Sequence, residues 1–107
     1  MAAFTGIAFA APAGATCLLT LGPGHETVLP KVAWEFEGAP RLPADGLCQA
    51  ALLPYGKGRV AVVGEAAMLT AQLVGGLGLK PYGMNAPGAK ENDRLVLNLV
   101  RWLAGAY

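Results

Sequence analysis

The chain has 107 residues, 54% of them hydrophobic and only 14% charged, with four Lys and four Arg set against five Glu and two Asp for a net charge of +1. That length suits one domain with one core and excludes two. Scattered, nearly balanced charge leaves no electrostatic footprint for nucleic acid or an anionic membrane, and no apolar run approaches the ~18 residues of a spanning helix. So apolar a chain has more surface to hide than a domain of this size readily covers, which points to a homo-oligomer, a dimer or larger.

Met1 to Ala15 is apolar, and Ala13-Gly14-Ala15 loosely imitates a signal-peptidase site. Without a basic start, and with Thr5, Gly6 and Pro12 interrupting the run, it does not read as a cleaved signal. Cys17 and Cys48 each sit in an apolar run, as buried free thiols of a reducing compartment would, so a cytoplasmic location is expected.

In chain order, Phe4–Ala10 reads as a short strand ended by Ala-Pro-Ala-Gly, and Thr16–Leu21 as a second strand broken by Gly22-Pro23-Gly24. His25–Pro30 is loop or briefly extended. Val32–Glu37 alternates, with Val32, Trp34 and Phe36 on one side, and predicts a half-buried strand. Gly38–Gly46 is a connector. Leu47–Pro54 and Arg59–Val63 are strands joined by the tight turn Tyr55-Gly56-Lys57-Gly58 as a hairpin, with Val60–Val63 apolar throughout.

Past Gly64, the run Glu65–Val74 predicts a helix, opened by an acid at its positive dipole end and stopped by Gly75-Gly76-Leu77-Gly78. Leu79–Gly88 is a loop. A second helix spans about 89–104, with Leu95, Val96, Leu99, Val100, Trp102 and Leu103 as its apolar stripe, Asn92 and Arg101 toward water, and Gly105 as its C-cap. The expected fold is therefore α/β (α+β by element order), a mixed sheet of about five strands followed by two helices.

The run Tyr55-Gly56-Lys57-Gly58-Arg59-Val60-Ala61-Val62-Val63-Gly64-Glu65, with Gly83-Met84-Asn85-Ala86-Pro87-Gly88 and Asn98-Leu99-Val100-Arg101-Trp102-Leu103-Ala104-Gly105, resembles the C-terminal portion of bacterial proteins with a class I glutamine-amidotransferase-like fold. The resemblance spans nearly all of this chain but about the last half of a family member, and it implies half of a flavodoxin-like sandwich. Neither Cys17 nor Cys48 stands in the family's Gly-x-Cys-x-Gly elbow, and no histidine follows Gly64-Glu65. The family's amidotransferase chemistry does not carry over.

The candidate binding residues are Gly64, Glu65, Tyr82, Met84 and Asn85. Gly64-Glu65 would lie at a strand-to-helix turn that exposes backbone N–H groups, although Glu65 supplies its own negative charge there and suits a self-capped helix. The loop Pro81–Gly88 is stiffened by two prolines and offers Tyr82, Met84 and Asn85 for recognition, or Asn85 as a helix cap. His25, the one histidine, reads as a loop residue. One His and two apolar-flanked Cys make no metal set, and no cofactor is demanded. Two functions follow: a non-catalytic, self-associating binding or interaction module, or a small-molecule enzyme or subunit using Glu65 as a base near Asn85.

Overall fold

A computed structural model describes residues 1–106. Its centre is a three-stranded antiparallel sheet in the order β1-β4-β5, with β1 at Thr16–Thr20, β4 at Cys48–Tyr55 and β5 at Gly58–Val63. The β4–β5 hairpin forms as the sequence predicts, in register from Tyr55↔Gly58 to Ala50↔Val63. Gly56, the first loop residue, has φ +55°, which a two-residue loop with glycine in first position supplies without strain. Two small ribbons flank the sheet: β2 (Glu26–Val28) with β3 (Arg41–Pro43), and β6 (Ala71–Val74) with β7 (Lys80–Gly83). One helix, α1 (Asn92–Leu103), closes the chain.

The expected mixed sheet of five strands with two helices, and with it the flavodoxin-like half-sandwich, is not what forms: among the described residues the strands divide among three antiparallel sheets with a single α-helix. Three segments account for the difference. Glu65–Val74 does not become a helix. Only Ala67–Leu69 makes one 3-10 turn, and Ala71–Val74 then pairs with Lys80–Gly83 across Gly75–Gly78. A glycine run stops a helix and turns a hairpin equally well, and a ten-residue helix is marginal in isolation, so strand pairing wins.

Val32–Glu37 alternates yet finds no partner strand. It runs as turns and bends, with Trp34 at φ +72° and 84% exposed. Residues 4–10 contribute only a bridge, Phe9 to Cys48. They cross the end of the sheet where β5 gives out, and Ile7 N–H donates to Gly64 O at 2.9 Å.

Cys17 and Cys48, expected as free thiols, are joined by a disulfide. They stand 31 residues apart in sequence, but β1 lies beside β4 and brings their Cα atoms to 5.7 Å. The register sets Cys17 beside Ala51 and Thr20 beside Cys48, with irregular steps between Cys17 and Thr20, so the link is not announced by any local pattern.

The helix buries Asn92 and Leu99 and half-buries Leu95, Val96 and Trp102, while Val100 and Leu103, expected in its apolar stripe, are exposed. Arg59 Nη1 donates to Trp102 O at 2.5 Å and its guanidinium lies 5.4 Å from the Trp102 ring centre, tying the end of α1 to the start of β5. A groove of about 270 Å³ remains between α1 and the sheet, lined by Leu18, Leu52, Leu95 and Trp102 among others.

Candidate functional site

A cluster of buried polar side chains grips the main chain of residues 2–5. Glu65 follows β5 and is 4% exposed. Its Oε1 accepts the backbone N–H groups of Phe4, at 2.7 Å, and of Thr5. Gln49, buried on β4, donates from Nε2 to Thr5 O at 2.9 Å. Asn92, fully buried in the first turn of α1, accepts from Ala2 N–H at 2.9 Å and donates to Ala2 O at 2.8 Å and Met68 O at 2.9 Å. Each contact is made to main chain, so the cluster holds backbone groups rather than side chains.

Glycine makes the close approach possible. A Cβ on Gly64 would stand 2.4 Å from Ile7 O, and one on Gly6 would stand 2.7 Å from Gly64 O. Gly6 also has φ +117°, so both the space and the backbone conformation require glycine.

The five residues singled out in the sequence divide into two groups. Gly64 and Glu65 hold the N-terminal segment directly, and Tyr82 joins them through its ring, 4.7 Å from that of Phe4. Met84 and Asn85 instead fasten the β6–β7 ribbon: Met84 N–H donates to Thr70 O at 2.6 Å, and Asn85 Nδ2 to Gln72 O at 3.1 Å. Asn85 therefore does not cap α1, whose N-cap residue is Glu91 with no side-chain cap bond. The anion-attracting helix start expected after Gly64 is replaced by the three-residue turn, and Glu65 serves another segment's N–H groups rather than a helix dipole.

Gln49 and Asn92 do not stand out in the sequence as site residues. Gln49 interrupts the apolar run Leu47–Leu53. Asn92 stands three, seven and ten residues before Leu95, Leu99 and Trp102, in register with the inward face of the helix; that spacing is the available signal.

Glu65 Oε2 is buried and has no hydrogen-bond partner among the described residues. The carboxylate is shut away from solvent and occupied by two donors, a structural task. Glu65→Gln keeps the shape and one acceptor oxygen but loses the charge-assisted bonds; we expect a loss of about 1 kcal/mol in urea unfolding, against none if the carboxylate holds nothing.

Beside the clamped segment lies an open cleft of about 800 Å³, lined by Phe4, Ile7, Leu21, His25, Val28 and Phe36 among others. His25 Nδ1 is 2.9 Å from Gly22 O, so the lone histidine is a loop residue as expected, although it also lines this cleft. Among the described residues there is no group of three or more His, Cys, Asp or Glu side chains placed to hold a metal ion.

No family model matches the chain, and no curated protein or solved structure matches it either.

Proposed function

We propose that this chain is a non-catalytic binding or interaction module that works as a homo-oligomer. The observation that carries the reading is the inversion of its apolar surface. The buried hydrophobic positions among the described residues are mostly alanine, with Met68 and Leu99 the only large aliphatic side chains, while Val60, Val62, Leu97, Val100 and Leu103 stand exposed on β5 and α1. Apolar surface on this scale is stabilised by burial against another surface. Sedimentation velocity on the full chain is expected to give a mass above that of the monomer in the micromolar range. A strictly monomeric chain up to about 100 μM, far above the micromolar affinities of ordinary weak complexes, overturns the reading.

The enzyme reading with Glu65 as base is the weaker one. Glu65 is enclosed, its Oε1 is occupied by Phe4 and Thr5 N–H, and Asn85 is engaged elsewhere on Gln72. For a small-molecule ligand, the cleft of about 800 Å³ beside Phe4 and His25 offers room.

No described helix is long and apolar enough to cross a membrane. The expectation of a cytoplasmic location rests on free thiols, and the Cys17–Cys48 link favours an oxidising compartment instead. Intact mass of the protein from its native source, compared before and after reduction and alkylation, reads the link: two thiols already free before reduction would restore the cytoplasmic reading.

A further inference from the structure

The strand β5 lies at the rim of its sheet, and among the described residues no strand pairs with its outer edge. Gly64 N–H donates to Gln49 O on the β4 side. Alternation then turns the main-chain groups of Val62 and Val60 toward β4 and those of Val63, Ala61 and Arg59 outward. An antiparallel copy of β5 placed about a two-fold axis at Ala61 sets Ala61 against Ala61, and Arg59 against Val63 in both directions. That register uses all three outward N–H and all three outward C=O groups of each strand. It also brings Val60 opposite Val62 of the other copy on the face away from α1, covering side chains that are 38% and 48% exposed. The edge carries none of the usual protections, since it has no proline, no bulge and a single charge near its start.

The helix meets the same axis. It runs antiparallel to β5, because Trp102 lies at Arg59 while Asn92 reaches Met68 beyond the strand's far end. From Arg59 to Val63 is roughly 14 Å of strand, and from Trp102 to Asn92 roughly 15 Å of helix. Leu97, midway between Trp102 near the start of β5 and Asn92 past its end, therefore lies along the stretch of helix that spans the strand around Ala61. Since Leu95 and Trp102 face the groove beside Leu18 and Leu52, the opposite flank of α1, carrying Val100 and Leu103, lies toward the open edge of β5.

Asp93 and Arg101, both exposed, stand four residues on either side of Leu97. Two helices related by this axis run antiparallel, so each Asp93 comes to the Arg101 end of its mate. Strand pairing alone covers less than the ~800 Å² per partner of a stable interface, and the helix flank supplies the remainder. We propose that the occupant of this edge is a second copy of the chain, joined through β5 about Ala61 into a continuous six-stranded sheet, with the two α1 helices held side by side by reciprocal Asp93–Arg101 attraction.

The interface rests on the self-association reading above, and the test separates the two. Sedimentation velocity is run on the full chain, in low and high salt, for wild type, Ala61→Pro, Asp93→Arg and Arg101→Asp, with circular dichroism confirming the fold of each. Proline at residue 61 removes an outward N–H and leaves the β4 ladder intact, so it should weaken dimerisation at least about tenfold. Each charge reversal turns two attractions into two repulsions and should also weaken it about tenfold or more at low salt, less at high salt. An equimolar mixture of the two reversed chains should dimerise again, since positions 93 and 101 are then both basic in one chain and both acidic in the other. A wild-type dimer indifferent to all three substitutions overturns this interface while leaving self-association standing; a monomeric wild type removes both. If the proline variant fails to fold, restoration or its absence in the charge-reversed mixture decides.

Discussion

Replacing Asn92 by leucine is expected to lower the stability of the chain by about 3 kcal/mol, a large part of the 5–15 kcal/mol that holds a typical small domain. Leucine matches the volume of the amide and suits the inward stripe of α1. It leaves Ala2 N–H, Ala2 O and Met68 O without the partners that stand at 2.8–2.9 Å in the native chain. Each orphaned group costs about 1–3 kcal/mol in proportion to its burial, against a small gain from the apolar side chain. The loss should be local as well as global, with faster amide exchange in residues 2–7 before the sheet opens. Asn92→Asp makes a useful comparison, since it keeps an acceptor for Ala2 N–H and loses both donors. Urea unfolding of Asn92→Leu within about 0.5 kcal/mol of wild type would mean that the clamp contributes nothing.

A second substitution should cost still more. Gly83→Ala is expected to destabilise by about 4 kcal/mol, combining backbone strain with an overlap that cannot relax. Gly83 has φ +150°, and a Cβ there would stand 2.1 Å from Thr70 O and 2.8 Å from Ala67 O. Both obstacles are main-chain oxygens, so no side chain can swing aside. Displacing Thr70 would also break the Met84 N–H to Thr70 O bond that starts the β6–β7 ribbon. Gly76→Ala is the control, since nothing lies within 4 Å of its Cβ position, and it should leave stability within about 0.5 kcal/mol. Thermal or urea unfolding of the pair checks the contrast, and equal behaviour would refute it.

Local chemistry made some of the molecule readable. The β4–β5 hairpin was legible because a glycine at the required loop position joins two apolar runs, and all of its determinants lie within sixteen residues. The last helix was legible from its 3.6-residue period, though its start moved from about 89 to Asn92 because the turn Ala86–Glu91 intervenes. Gly64 and Glu65 stood out in the sequence as candidate binding residues, and the structure gives them an internal task. Their task is to hold residues 4–7, some sixty positions earlier, and no local pattern reveals such a contact.

By itself, then, the sequence determined the central hairpin, the closing helix and an excess of apolar surface, all of which depend on near neighbours or on composition. Tertiary structure decided the rest. It turned Ala71–Val74 from expected helix into ribbon, because a strand across the glycine loop was at hand to pair with it. It left Val32–Glu37 without a sheet, and it joined Cys17 to Cys48 by laying β1 against β4. It also drew Asn92 out of water to clamp the start of the chain. In each case the deciding free energy came from a partner distant in sequence, which periodicity and propensity within a short window cannot register.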